Sequence, residues 1–230
     1  FPRYWEAYES VNRRFAEVIA AEAAPEDQVW IHDYQLMRVP ALLRELRPEL
    51  TIGFFLHIPF PAYEVFRLLP KRRLLLQGVL GADLIGFHAA AYAAHFSDCV
   101  TRLLGVETVE EGRFDYQGRS PRTGVFPMGI SLARVEANST EGPFGGERRV
   151  ADAAGAGKTL VAIDRLDYTK GLPRRLLAYE EMLRQHPELR ERVTLVQVAV
   201  PSRTGVKAYR RFRRSVDAMV GRINGTYGTP

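Results

Sequence analysis

Arg165 and Lys170 are the two cations of the segment AIDRLDYTKG, in which an apolar run opens onto a turn just before a helical pattern. In an α/β protein that junction binds phosphate. A helix N-terminus offers unpaired N–H groups and partial positive charge, an arginine grips phosphate oxygens in a planar fork, and a lysine adds a compact point charge. Residues 161–163 read as a buried strand, and 172–183 carry helical apolar spacing with Leu176, Leu177, Tyr179, Met182 and Leu183 mostly on one face. A surface ion pair with Asp164 or Asp167 accounts for the same cations equally well.

Three further residues stand where strand-like runs end. Asp33 follows VWIH, at the sheet edge where open α/β folds bind ligands, and its carboxylate can accept hydrogen bonds from sugar hydroxyls. The same aspartate is also a good cap for a helix over 35–46. His57 begins HIPFP, where Pro59 and Pro61 stiffen the turn and fix how the imidazole is presented. It suits a sugar hydroxyl, although a loop histidine commonly has a structural partner. Arg203 lies in the turn PSR after LVQVAV, a setting that repeats that of Arg165, or it is one more arginine of a basic helix. His88, His95 and His186 form no metal-ligand spacing with a carboxylate or cysteine, so no metal and no cofactor is expected. There is no G-x-S-x-G nucleophile elbow, and GAGKT at 155–159 is not a P-loop. Asp152 stands where its first glycine belongs, and the segment precedes a strand rather than following one.

The elements that must position these residues alternate between apolar β-branched runs and helical patterns. That alternation predicts an α/β fold of parallel sheets covered by helices on both faces. Strands are expected at 28–32, 51–56, 83–87, 124–127, 159–163 and 194–199. Helices are expected at 3–23, with Trp5, Tyr8, Phe15, Val18 and Ile19 as core-facing residues, and at 89–104, with Tyr92, Phe96, Val100, Leu103 and Leu104. The stretch 106–125 reads as a β-hairpin excursion turning at Gly112 and Gly118. Between 131 and 158 periodicity fails and Gly, Pro, Glu and Ala dominate. This is the expected boundary between domains 1–150 and 151–230, with a ligand in the crevice between them.

With 230 residues and a 46% hydrophobic fraction, the chain can bury a real core. No apolar run nears the ~20 residues needed to cross a bilayer, and FPRYWEAYES lacks a secretory signal's apolar centre. A single cysteine, Cys99, excludes an internal disulfide and fits a reducing compartment, so a soluble, cytoplasmic protein is expected. The net charge of +5 suits an anionic small-molecule ligand. Lys207, Arg210, Arg211, Arg213 and Arg214 form the densest basic run. They read as a solvated helix face rather than a nucleic-acid site, because no aromatic stack or nucleic-acid motif accompanies them.

The segment DRLDYTKG resembles the donor-site motif of the trehalose-6-phosphate synthases, and VWIHDYQL, IGFFLHIPFP, GADLIGFH, VAVPSR and GRINGTYG match that family in order. The resemblance covers nearly the whole chain and is weakest between 105 and 159. The variant VFRLLP with VLGADLIGF looks more like synthase halves that are joined to a trehalose-phosphate phosphatase half. It implies a GT-B arrangement of two Rossmann-like domains, and retaining transfer of glucose from UDP-glucose to glucose 6-phosphate without metal or cofactor. On that resemblance Asp33 and Arg203 bind glucose 6-phosphate, Arg165 and Lys170 hold the donor diphosphate, and His57 lies near the donor glucose. Arg165, Lys170 and His57 are then the catalytic set. The resemblance admits a homo-oligomer and a phosphatase domain elsewhere in a longer protein, and implies no nucleic-acid or membrane partner. Compared with the family pattern, the chain begins after a glycine-containing donor loop and an acceptor-binding arginine. It stops before the acidic loop that holds the ribose and donor sugar, as a fragment would. Two rivals remain at this point: a non-catalytic sugar-phosphate-binding module, and a transferase using another phosphorylated acceptor such as glycerol 3-phosphate or a cyclitol phosphate.

Overall fold

The computed structural model describes residues 2–110, 112–140 and 157–228, so most of the aperiodic stretch and the start of GAGKT lie outside the described residues. The chain divides into two compact units, Phe1–Ile130 and Ser131–Pro230. The sequence places its division at 150/151, inside the stretch that is not described.

In the first unit, α1 (Pro2–Glu22) precedes β1 (Gln28–His32), α2 (Val39–Leu46), β2 (Thr51–Phe55), the short α3 (Tyr63–Phe66), α4 (Arg72–Val79), β3 (Leu84–Phe87) and α5 (Ala90–Leu104). The excursion that follows is β4 (Thr108–Glu110) and β5 (Arg113–Phe114), leading to β6 (Arg122–Val125). The sheet runs β1-β2-β3-β6-β5-β4. Its first four strands are parallel, and β5 and β4 add antiparallel at the edge, with Gly112 and Gly118 at positive φ in the turns.

Strand order explains where the helices lie. When β1, β2, β3 and β6 follow in sequence across the sheet, right-handed crossovers deliver every intervening helix to the same side. Ala16, Leu42, Leu43, Leu76, Val79, Phe96, Cys99 and Val100 from the helices accordingly share one core with Ile31, Ile52, Phe54, Ile85 and Phe87 from the strands. Among the described residues the opposite face, which carries Trp30, Leu84 and Phe126, has no helix packed on it. The expectation of helices on both faces is thus corrected to one face in this unit. Burial pushes the Cys99 thiol up to about 11, as suits a small apolar core residue.

The expected stripe of α1 is also corrected. Phe15 and Val18 are exposed, and the packed face runs through Tyr8, Asn12, Ala16 and Ile19. A polar residue decides the rotation. Asn12 is fully buried, donates to Tyr8 O and Gln35 O at 2.9 Å each, and accepts from Arg38 N at 3.0 Å. Turning Phe15 inward would expose that network or leave the amide unpaired.

The second unit contains α6 (Leu132–Thr140), β7 (Lys158–Arg165), α7 (Leu172–Gln185), β8 (Val193–Val200) and α8 (Lys207–Tyr227). The two strands pair in parallel in register from Lys158↔Val193 to Arg165↔Val200. Leu166, Leu172, Leu176, Val216 and Ile223 form its core, with α7 and α8 packed together over one face. Val161 and Ile163 are 61% and 69% exposed, so 161–163 is a strand but not a buried one. Side chains alternate across a strand, and a two-stranded sheet covered on one face leaves the other in solvent. Leu177, placed on the apolar face of its helix by spacing, is exposed as well.

Candidate functional site

In the first unit the site residues gather because β1, β2 and β3 end together. The register His32↔Phe55 and Phe55↔Gly86 brings the residues after each strand to one edge. His32 is the last residue of β1, His57 lies two beyond β2, and His88 follows β3 directly. His32 Nδ1 and His57 Nε2 are 2.9 Å apart, one donating and the other accepting, with ring centroids at 5.2 Å. The His57 and His88 centroids are 5.7 Å apart, and the Phe55 ring touches both imidazoles at 4.8 Å. His88 Nδ1 is buried without a partner. A cavity of about 450 Å³ is lined by His57 and His88 together with Trp30, Phe55, Phe126 and Met128.

Asp33 stands beside this cluster in a left-handed conformation, φ 68°, which costs a non-glycine residue roughly 1–3 kcal/mol. Its Oδ1 accepts from Tyr34 N at 3.0 Å and from His57 N at 3.3 Å, so one carboxylate oxygen ties the two strand ends together. The predicted helix cap is corrected in form. Asp33 caps only a 3₁₀ turn, Tyr34–Leu36, and the helix proper starts at Val39 with Pro40 in its first turn. Tyr8 clamps this turn by donating to Tyr34 O at 2.8 Å and accepting from Met37 N at 3.1 Å, and burial pushes its hydroxyl up to about 12.

In the second unit β7 ends at Arg165, and a 3₁₀ turn, Tyr168–Lys170, leads to Gly171 at φ 67° and into α7. Glycine takes this conformation without a Cβ penalty, which lets the chain enter the helix immediately after Lys170. Arg165 and Lys170 are exposed, and among the described residues neither side chain has a hydrogen-bond or ion-pair partner. The aspartates that could have neutralised them are engaged elsewhere. Asp164 pairs with Arg175 at 2.6 Å, and buried Asp167 accepts from Thr169 N at 3.0 Å, Thr169 Oγ1 at 2.9 Å and the Tyr209 hydroxyl at 3.1 Å. Arg203, in the turn after β8, has φ 49° and donates from Nη1 to the Tyr209 hydroxyl. Lys207, Arg210, Arg211, Arg213 and Arg214 lie exposed along α8.

Sequence reasoning missed His32, His88, Asp167 and Tyr209. VWIH, FFLH and LIGFH each end an apolar run on histidine, and that recurrence was a usable signal for the first two. Tyr209 had none, since it lies six residues beyond Arg203 inside a helix. His95 and His186 have structural partners, Phe60 O at 3.0 Å and Glu188 at 3.1 Å. Among the described residues no group of three or more His, Cys, Asp or Glu is arranged to hold a metal.

Polar groups at the carboxyl ends of a parallel sheet, and a cationic turn in a second βαβ unit, define an α/β protein whose strand ends have the arrangement that α/β folds use for small anionic or polyhydroxylated ligands. The family model of glycosyltransferase family 20 matches residues 2–230, and the chain belongs to that family. It is 49% identical over 230 residues to a bifunctional trehalose-6-phosphate synthase/phosphatase of Thermoproteus tenax, covering 98% of this chain and 31% of the relative. Against a UDP-forming α,α-trehalose-phosphate synthase of Yarrowia lipolytica it is 46% identical, covering 98% of this chain and 49% of the relative. Among solved structures, the α,α-trehalose 6-phosphate synthase of Burkholderia multivorans superposes with a TM-score of 0.91 at 35% identity, over 100% of this chain and 50% of the other. The chain thus spans half or less of the length of these relatives, and its fold is that of the corresponding part of the synthase structures.

Proposed function

We propose that the protein transfers glucose with retention from UDP-glucose to glucose 6-phosphate, releasing UDP and α,α-trehalose 6-phosphate. The observation that carries this reading is the state of Arg165 and Lys170: exposed and unpaired among the described residues at a strand end, with both neighbouring carboxylates committed to other groups. Two unneutralised cations at a helix-entry turn suit a diphosphate whose negative charge grows as the glycosidic oxygen departs, so they stabilise the transition state more than the ground state. In this reading the leaving diphosphate oxygen takes the proton of the acceptor hydroxyl on the same face of the sugar, and no protein carboxylate forms a glycosyl ester.

His57, held by His32 and by Asp33 through its backbone, presents its imidazole to the donor glucose. Asp33 accepts from acceptor hydroxyls, and Arg203 takes the acceptor phosphate. Residues 1–150 act as the acceptor-side domain and 151–230 as the beginning of the nucleotide-sugar domain. Cytoplasmic placement, fitted to the single buried thiol, a homo-oligomer and a phosphatase portion such as that of the Thermoproteus relative belong to the same reading.

Calorimetric titration with UDP-glucose and with glucose 6-phosphate, followed by a UDP-release assay, tests the proposal. UDP release that requires glucose 6-phosphate is the expected result. Acceptor binding without release leaves a binding module, and a folded chain that binds neither ligand refutes the site assignments.

A further inference from the structure

The second unit contains a hydrogen-bonded chain that joins its two cationic turns. Asp167 lies within RLDYTKG, two residues after Arg165, and is 4% exposed. Tyr209, 7% exposed, projects from the first turn of α8 between this aspartate and Arg203. A guanidinium only donates, so the hydroxyl accepts from Arg203 Nη1 and passes its own proton toward Asp167 Oδ2. The Asp167 carboxyl is held below the usual carboxylate range by the Thr169 N–H first, against burial, with Thr169 Oγ1, Tyr209 and the Arg203 charge adding to it. The Arg203 guanidinium also sits over the Tyr209 ring at 5.3 Å, and Tyr168 of the donor turn meets the same ring at 5.8 Å.

An exposed arginine on a strand-end loop would ordinarily sample many rotamers, and a ligand that binds it must bear the entropy cost of ordering it. Here one N–H is already committed, the ring limits the side chain's swing, and the backbone is fixed in a left-handed turn. The remaining N–H groups are left for a ligand.

We infer that Tyr209, backed by Asp167, is a positioning residue that holds Arg203 ready for the phosphate of the acceptor and links that arginine to the turn carrying Arg165 and Lys170. This rests on the reading of Arg203 as the acceptor's phosphate ligand. Tyr209 need not touch either substrate: it acts through Arg203, and its removal weakens one ligand and spares the other.

The test is calorimetric titration of this chain with glucose 6-phosphate and, separately, with UDP-glucose, before and after Tyr209→Phe, which keeps the ring and deletes the hydroxyl. The expected result is about tenfold weaker binding of glucose 6-phosphate, with UDP-glucose affinity within about twofold. Asp167→Asn should follow in the same direction by a smaller factor. In an Arg203→Lys background Tyr209→Phe should change acceptor affinity by less than about twofold, because the group it positions is gone. The Arg203 Nε–H resonance, ordered in the unsubstituted chain, should become as mobile as that of Arg210 when the hydroxyl is removed. Equal weakening of both ligands, or the same loss in both backgrounds, overturns the proposal in favour of a merely structural tyrosine. The two levels of failure differ. A chain that binds no glucose 6-phosphate before substitution refutes the role of Arg203, whereas one that binds it equally well with Phe at 209 refutes the positioning alone.

Discussion

Asp83→Ala should destabilise the first unit by about 3 kcal/mol, although Asp83 touches none of the candidate ligand groups. Its Oδ2 accepts from Ile52 N and from Arg44 Nη2, and its Oδ1 from Arg119 Nη2, all at 2.7 Å. Ile52 is fully buried, so its N–H loses an acceptor where water does not readily replace it, at about 1–2 kcal/mol. Arg44 keeps Pro48 O, Leu50 O and Gly81 O, and Arg119 keeps Leu80 O and Ala82 O, so each guanidinium loses only its counter-charge. The Asp83 side chain is 42% exposed, and solvent screening reduces each of those two losses to roughly 0.5–1 kcal/mol.

Urea denaturation followed by tryptophan fluorescence measures this cleanly, because both tryptophans, Trp5 and Trp30, lie in the first unit. Asp83→Asn, which keeps an acceptor for Ile52, should lose about half as much. Burial acts to raise the Asp83 carboxyl pKa, but the Ile52 N–H, Arg119 and Arg44 outweigh it and leave the pKa below the ordinary value. The folded state therefore binds this proton less readily than the unfolded state. The stabilisation is present in full above about pH 4 and is lost as pH falls through the lowered folded value. A loss under about 1 kcal/mol for Asp83→Ala, or a stability gap that widens on acidification, would refute the reasoning.

Three further outcomes are expected. A Cβ added at Gly81 would stand 2.3 Å from Ala41 N, a backbone atom that cannot swing aside, so Gly81→Ala should cost about 3 kcal/mol or more, read by the same urea transition. Asp33→Gly relieves the left-handed strain while deleting the carboxylate. The melting temperature should stay level or rise, while glucose 6-phosphate affinity falls at least about tenfold by calorimetry. In the glucosyl-transfer assay Arg165→Ala should mainly lower kcat and Arg203→Ala mainly raise KM for the acceptor, and equal effects on both parameters in both variants would count against that division of roles.

What the amino-acid order determined by itself was the element sequence and which polar side chains stand after the strands. Apolar β-branched runs placed β1 at its observed limits and most other strands within one or two residues. Helical spacing did the same for α5, with Phe96 and Val100 inward. Asp33, His57, Arg165, Lys170 and Arg203 were visible because each follows an apolar run, and in a parallel sheet every such run delivers its next residues to the same edge. Those signals are local, carried within about ten residues. Tertiary structure alone decided which face of each element is covered. A strand's apolar run cannot reveal that its sheet is two strands wide among the described residues, so Val161 and Ile163 read as buried and lie in solvent. Apolar spacing in α1 favoured Phe15 and Val18, yet Asn12 set the rotation because its partners, Gln35 and Arg38, are more than twenty residues away. The joining of His32 to His57 and of Arg203 through Tyr209 to Asp167 likewise depends on strand register and helix placement, which residue order does not encode locally. Pairing of polar groups is short-ranged in space and indifferent to separation along the chain, and that is why it becomes legible only once the chain has folded.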